Sequence, residues 1–276
     1  GFEDIGDEAG SEFEYSDQVV DKFNTQHEKY VVSNSQVLPR LGEAVANMNE
    51  PMVGQDSVAF YLLSEQVSKH IKVVLSGQGA DEAFAGYFWY PRMQAESGSE
   101  VERFSKHYVD RPYEEYLKTV NKKYHSGNHT QAWLDKEFAK ANADEFMDKV
   151  FRTDITRLIV DDPVKRVDNM TMAWGLEARV PFMDYQLVEH ALSIPPRLKM
   201  AEEGKYPLKQ ISRGLLPDSV IDRKKGYFPM PALKYVRGEF LDFMADILTS
   251  SQCVNRGIFD QKFIHKVINQ PEKYMT

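Results

Sequence analysis

Residues 71–90 read IKVVLSGQGADEAFAGYFWY. The β-branched run Ile71–Leu75 has the signature of a short buried strand. It runs into Ser76-Gly77-Gln78-Gly79-Ala80-Asp81-Glu82 and then a helix-like segment. A glycine-rich turn between a strand and a helix N-terminus is where α/β proteins hold phosphates and nucleotides. Gly77 and Gly79 let backbone come close to a ligand because no Cβ stands in the way. Asp81 and Glu82 repel a phosphate unless a cation lies between, which points to a Mg²⁺-bridged nucleotide phosphate. The plainer reading, an ordinary strand–turn–helix with Asp81 as N-cap, stands beside it.

Outward from this loop, helices alternate with short apolar strands over the first 80 residues. The pattern gives helices at Glu12–Phe23, Val37–Met48 and Val58–Lys69, the second capped by Ser33 or Ser35 and the third by Asp56-Ser57. It gives strands at Lys29–Val32 and Ile71–Leu75. That alternation predicts α/β architecture: a partial parallel sheet with flanking helices. Two or three strands are too few for a stable open sheet, so more are expected before Gly1. A start at Gly1 without Met points the same way, to a stretch of a longer polypeptide. From Trp133 onward helical periodicity takes over, at 133–150, 152–160, 164–178, 184–193, 206–216, 230–248 and 260–269. Residues 1–95 are therefore expected to carry the sheet region and 96–276 an all-α lobe.

Composition narrows the function classes. The chain has 276 residues, 42% hydrophobic and 28% charged, as expected of a globular protein with a sizeable core. A net charge of −8 argues against a general nucleic-acid surface. No apolar run is long enough to span a membrane. The single cysteine, Cys253, excludes internal disulfides, fits a reducing cytoplasm and reads as a packed, inert thiol. His107, His125 and His129 lack metal-ligand spacing and read as surface residues.

Three segments in order resemble the synthetase domain of the glutamine-dependent asparagine synthetase family. The first is Val74–Glu82 with Gly86-Tyr87. The second runs from Lys165-Arg166-Val167-Asp168-Asn169-Met170 through Leu176-Glu177-Ala178-Arg179-Val180-Pro181-Phe182-Met183-Asp184. The third is Gly204-Lys205-Tyr206-Pro207-Leu208-Lys209, then Leu216-Pro217 and Arg223-Lys224-Lys225-Gly226. The resemblance implies an adenine nucleotide α-hydrolase-like sheet, with ATP and Mg²⁺ as cofactors. It implies adenylation of a small-molecule carboxylate such as aspartate, then displacement of AMP by ammonia. In the family the ammonia comes from a glutaminase domain of the same polypeptide. That domain's N-terminal Cys, and a Ser-Gly-Gly-x-Asp-Ser pyrophosphate loop, are absent from this chain. Residues 1–276 in isolation are therefore expected to bind Mg-ATP weakly and to be inactive; a homodimer is left open.

Carried over residue by residue, Ser76, Gly77 and Gly79 match nucleotide-binding backbone and Asp81 matches a metal-binding carboxylate. Lys205 and Lys225 match lysines beside the phosphates, with Lys225 counted as catalytic too. Either lysine, without the family, reads as a solvated charge. Gln78 stands where these synthetases usually carry Glu and related β-lactam-forming enzymes carry Tyr. An amide cannot act as a general base, although it can hydrogen-bond ammonia or a carboxylate. Gln78 therefore puts free aspartate in doubt, makes a β-lactam cyclase unlike this chain, and leaves an inert scaffold open. Together with Gly86–Pro91 it resembles the branch that amidates the dipeptide N-acetylglutaminylglutamine. Glu177 and Arg179 read as a structural ion pair, and Asp184 as a helix cap. Met170, Met172 and Trp174 read as core. The aromatic run Tyr87–Tyr90 reads either as packing between two lobes or as the wall of a substrate pocket.

Overall fold

The computed structural model describes residues 1–4, 11–51, 54, 56–223 and 236–274. They divide into two compact units, residues 1–96 with 142–232, and residues 97–141 with 233–276.

The first unit carries the loop. Phe2 and Val32 are buried and meet in a parallel bridge, all that forms of the expected strand at 29–32. Helices follow at Val37–Ala46 and Asp56–Val67. Ser33 accepts the Ser35 N–H and caps the turn that leads into the first of them. Strand β1, Val73–Leu75, pairs in parallel with β2, Glu177–Arg179, in the register Val73–Glu177, Val74–Ala178 and Leu75–Arg179. β2 begins inside the stretch read as helix over 164–178: the helix Lys165–Met172 stops short, and Leu176 N–H turns back to the Thr171 carbonyl.

Three side-chain expectations are overturned here. β1 is not a buried strand: Val73 is 43% exposed and Leu75 71%, because a two-stranded sheet has no layer on that face among the described residues. Glu177 and Arg179 form no ion pair among the described residues. Both are exposed, held in place by the backbone ladder to β1. Met170 is fully buried, as expected of core, whereas Met172 is half exposed.

Around the sheet, helix Asp56–Val67 packs against Lys165–Met172. Arg166 bridges their ends, 2.8 Å from Asp56 and 3.4 Å from Asp162. Between Phe146–Thr153 and Lys165 the chain takes two successive π-helical turns, Asp154–Leu158 and Val160–Val164. Pro163, which has no N–H to give an α-helical ladder, sits in the second. Asp184 caps Tyr185–Ser193 by accepting the Gln186 and Leu187 N–H groups. The second unit holds the helices Glu100–Tyr108, Tyr113–Thr119 and His129–Phe138, then Glu239–Thr249, Ser251–Arg256 and Gln261–Asn269. Cys253 is buried there and free. Among the described residues no helix is long and apolar enough to cross a membrane.

Candidate active site

The loop leaves β1 with its direction fixed by the sheet. Ser76 N–H continues the ladder to the Arg179 carbonyl at 2.8 Å. Gly79 then takes φ +95°, and an added Cβ would lie 2.6 Å from the Met183 sulfur. Both constraints demand glycine. Gly79 also precedes the short helix Ala80–Phe84 without a side-chain cap, so Asp81 is a first-turn residue and not the N-cap of the plainer reading. The helix is anchored from below. Ala83 and Phe84 are buried with Ile155 and Ala191, flanked by Phe182, Leu187 and Leu208. Burying a side chain the size of Phe84 contributes about 2–3 kcal/mol, enough to hold one turn of helix that could not persist alone.

Lys205 reaches this helix from more than a hundred residues away. Its backbone N–H donates to the Phe84 carbonyl at 3.0 Å. Its φ of +54° is left-handed, a strained conformation for a residue with a side chain. The preceding Gly204, at φ +93°, lies so close to Ala85 that a Cβ would stand 2.1 Å from its carbonyl oxygen. The Lys205 ammonium is 3.1 Å from an Asp81 carboxylate oxygen. Gly86 is the floor under both: a Cβ there would meet Asp81 Oδ1 at 2.1 Å and Lys205 Cε at 2.3 Å.

Behind this pair stand two tyrosine–carboxylate contacts. Tyr87 donates its hydroxyl to Glu82 at 2.6 Å, and Tyr90 donates to Asp154 at 2.5 Å. Burial pushes the Glu82 carboxyl above its ordinary range, with the Tyr87 hydrogen bond opposing. Tyr87 is itself pushed up, first by burial and then by the charge of Glu82. Tyr87 and Trp89 stack at 4.2 Å, and Tyr90 meets Phe151 edge-on at 5.2 Å. Lys199 Nζ lies over the Phe151 ring, 4.0 Å from its centre. Lys199 is fully buried without a hydrogen-bond partner among the described residues, and burial lowers its ammonium to a pKa of about 8.

Among the described residues no group of three or more Asp, Glu, His or Cys could hold a metal by itself. Asp81 alone suits a hard cation that keeps most of its waters and takes its remaining ligands from phosphate oxygens, the usual habit of Mg²⁺. In the second unit, a groove of about 960 Å³ runs past Lys106, Arg111 and Tyr113. Arg111 is taken up by Glu115 and the Tyr274 carbonyl, and Tyr113 by the Ser126 carbonyl.

The family model for asparagine synthase matches residues 1–275. The chain belongs to the asparagine synthase family. It is similar to the glutamine-hydrolysing asparagine synthetase 1 of Bacillus subtilis, 27% identical over 91% of this chain and 45% of that protein. A putative glutamine-hydrolysing asparagine synthetase of Mycobacterium tuberculosis is 28% identical over 89% of the chain and 43% of its own length. One from Methanocaldococcus jannaschii is 26% identical over 95% and 42%. The chain thus spans less than half the length of these relatives.

Of the residues singled out by the family's motifs, the structure brings Asp81 and Lys205 together. Ser76, Gly77, Gln78 and Gly79 form the loop leading to Asp81, with the Gln78 N–H 3.5 Å from Ser76 Oγ. Lys225 lies outside the described residues. Sequence reasoning missed Glu82's burial, the Tyr90–Asp154 contact and Lys199. The available signal was local only for Lys199, a charge flanked by Leu198 and Met200.

Proposed function

We propose that this chain is the ATP-handling domain of an enzyme that converts a substrate carboxylate into an amide. The Asp81–Lys205 pair on the glycine-rich loop, in a chain of this family, is the observation that carries the reading. The substrate carboxylate attacks the α-phosphorus of ATP and pyrophosphate leaves; ammonia then attacks the acyl carbon and AMP leaves. Lys205, with Lys225, offers compact ammonium charge to the leaving pyrophosphate. Ser76, Gly77 and Gly79 bring backbone N–H groups near the nucleotide, and Asp81 would hold Mg²⁺. When bound, that cation screens the phosphate charge. Gln78 orients ammonia or the carboxylate by hydrogen bonding and takes up no proton.

The names of the relatives point to glutamine as the ammonia source, through a glutaminase domain of the same polypeptide. The β1–β2 pair then belongs to an adenine nucleotide α-hydrolase-like sheet in a cytoplasmic enzyme; sedimentation velocity of the intact protein tests whether it forms a homodimer. A larger acceptor than aspartate, such as the dipeptide N-acetylglutaminylglutamine, is favoured by Gln78 and by the Tyr87–Trp89 stack beside the acidic loop. Exchange of labelled pyrophosphate into ATP by the intact protein tests the proposal. It should depend on an added carboxylate and vanish in Asp81→Ala. No exchange with aspartate, acidic dipeptides or other carboxylates would overturn it in favour of an inert scaffold.

A further inference from the structure

We propose that Lys205 guards the metal position, so that the divalent cation and the nucleotide phosphates can enter only by exchanging partners with the Asp81–Lys205 pair. The inference rests on the assignment of Asp81 as metal ligand made above. In the structure the ammonium lies 3.1 Å from the carboxylate, so the position a cation would take is held by a cation of the protein itself. The two groups are three-quarters and two-thirds buried, which limits screening by solvent. The placement is built in. Lys205 is anchored through its backbone to Phe84, one helical turn after Asp81, and both side chains run across the bare backbone of Gly86. Swinging the lysine away costs it its carboxylate contact with Asp81 unless another anion replaces it.

A free divalent cation brings no such anion. It must displace an ammonium that then stands near it with only the Glu82 carboxylate at longer range in place of its Asp81 contact, and the like charges oppose binding. A cation carried on a nucleotide is different. Its phosphates accept Lys205 while Asp81 accepts the cation, so each charge leaves one partner for another and no charge is left bare. Lys205 is therefore a positioning and selectivity residue for the metal as well as a phosphate contact. The device favours the metal–nucleotide complex over the free ion and keeps Asp81 from collecting stray divalent cations.

The two roles predict opposite signs for one substitution, which separates this idea from a simple phosphate contact. Free Mn²⁺, and Mn²⁺ with the non-cleavable analogue α,β-methylene-ATP, are titrated into the intact protein and followed by electron paramagnetic resonance. Lys205→Met should tighten free Mn²⁺ about three- to tenfold and weaken the Mn²⁺–nucleotide complex about tenfold. Lys205→Arg, which keeps the charge, should hold free Mn²⁺ near the wild-type affinity and so controls for folding. Adding Asp81→Asn to Lys205→Met should erase the gain. Free Mn²⁺ binding that is unchanged or weaker in Lys205→Met would overturn the exchange while leaving Asp81 as ligand intact. Undiminished Mn²⁺–nucleotide binding in Asp81→Asn alone would instead remove the assignment on which the exchange stands.

Discussion

Replacing Lys199 by Met should stabilise this protein at neutral pH, and the gain should fade as the pH rises. Lys199 Nζ is sealed from solvent, without a hydrogen bond, over the Phe151 ring. Burial brings its ammonium from 10.5 down to about 8, against the pull of Asp148. At about 1.36 kcal/mol per pH unit, that difference is a burial penalty of about 3 kcal/mol when the lysine is charged in both states. Met fills the same volume without the charge but loses the cation–π contact, worth about 0.5–2 kcal/mol. The net expectation at pH 7 is a gain of about 1–3 kcal/mol. The sign with pH follows from proton linkage. Between pH 8 and 10.5 the unfolded chain keeps a proton that the folded chain has released, so wild-type stability rises relative to the variant. Urea unfolding of both proteins, followed by circular dichroism at pH 7, 9 and 10, should show the two midpoints converging. A difference that does not change with pH, or a variant that is less stable throughout, would refute the reasoning.

Three further outcomes follow from the loop. Gly86→Ala places a methyl group into Asp81 and Lys205, and should leave the fold intact while weakening metal–nucleotide binding about tenfold or more, read by calorimetry. Gly204→Ala meets a backbone oxygen that cannot step aside, at a φ of +93°, and should cost more than about 2 kcal/mol in thermal unfolding. Tyr87→Phe removes a hydrogen bond from the buried Glu82 carboxylate and should cost about 1–3 kcal/mol at pH 7. Because burial raises the Glu82 pKa, the penalty belongs to the charged form; the Tyr87→Phe deficit should shrink as the pH is lowered and Glu82 takes up its proton.

The loop was legible because its requirements are local. A β-branched strand, two glycines and a first-turn acid declare themselves within ten residues; the positive φ of Gly79 is a detail the structure adds. Helix existence was legible for the same reason, as at Val37–Ala46 and Tyr185–Ser193. β2 was not, since three residues after a helix carry no period of their own, and only pairing with β1 makes them a strand. The chemistry of the acids was hidden likewise. Nothing near Glu82 in sequence announces that it is buried, and nothing near Asp154 announces Tyr90, 64 residues earlier. For Lys199 the apolar neighbours Leu198 and Met200 are a weak signal, because its burial is decided by Phe151, on a different helix.

The parallel pairing of β1 with β2 also sets a timetable. The strand that launches the glycine-rich loop is complete at Leu75, but the partner that fixes its direction begins at Glu177, about a hundred residues later. At roughly 5–20 residues per second of synthesis, the loop exists for some 5–20 s before β2 has been made. Lys205, which meets Asp81, is made later still. During that interval Val73 and Leu75 present an apolar strand whose β2-facing edge is open, the kind of segment that pairs with the wrong neighbour. The ribosome-bound chain should therefore pass through a stage in which the ligand loop is already synthesised, unformed and in need of protection.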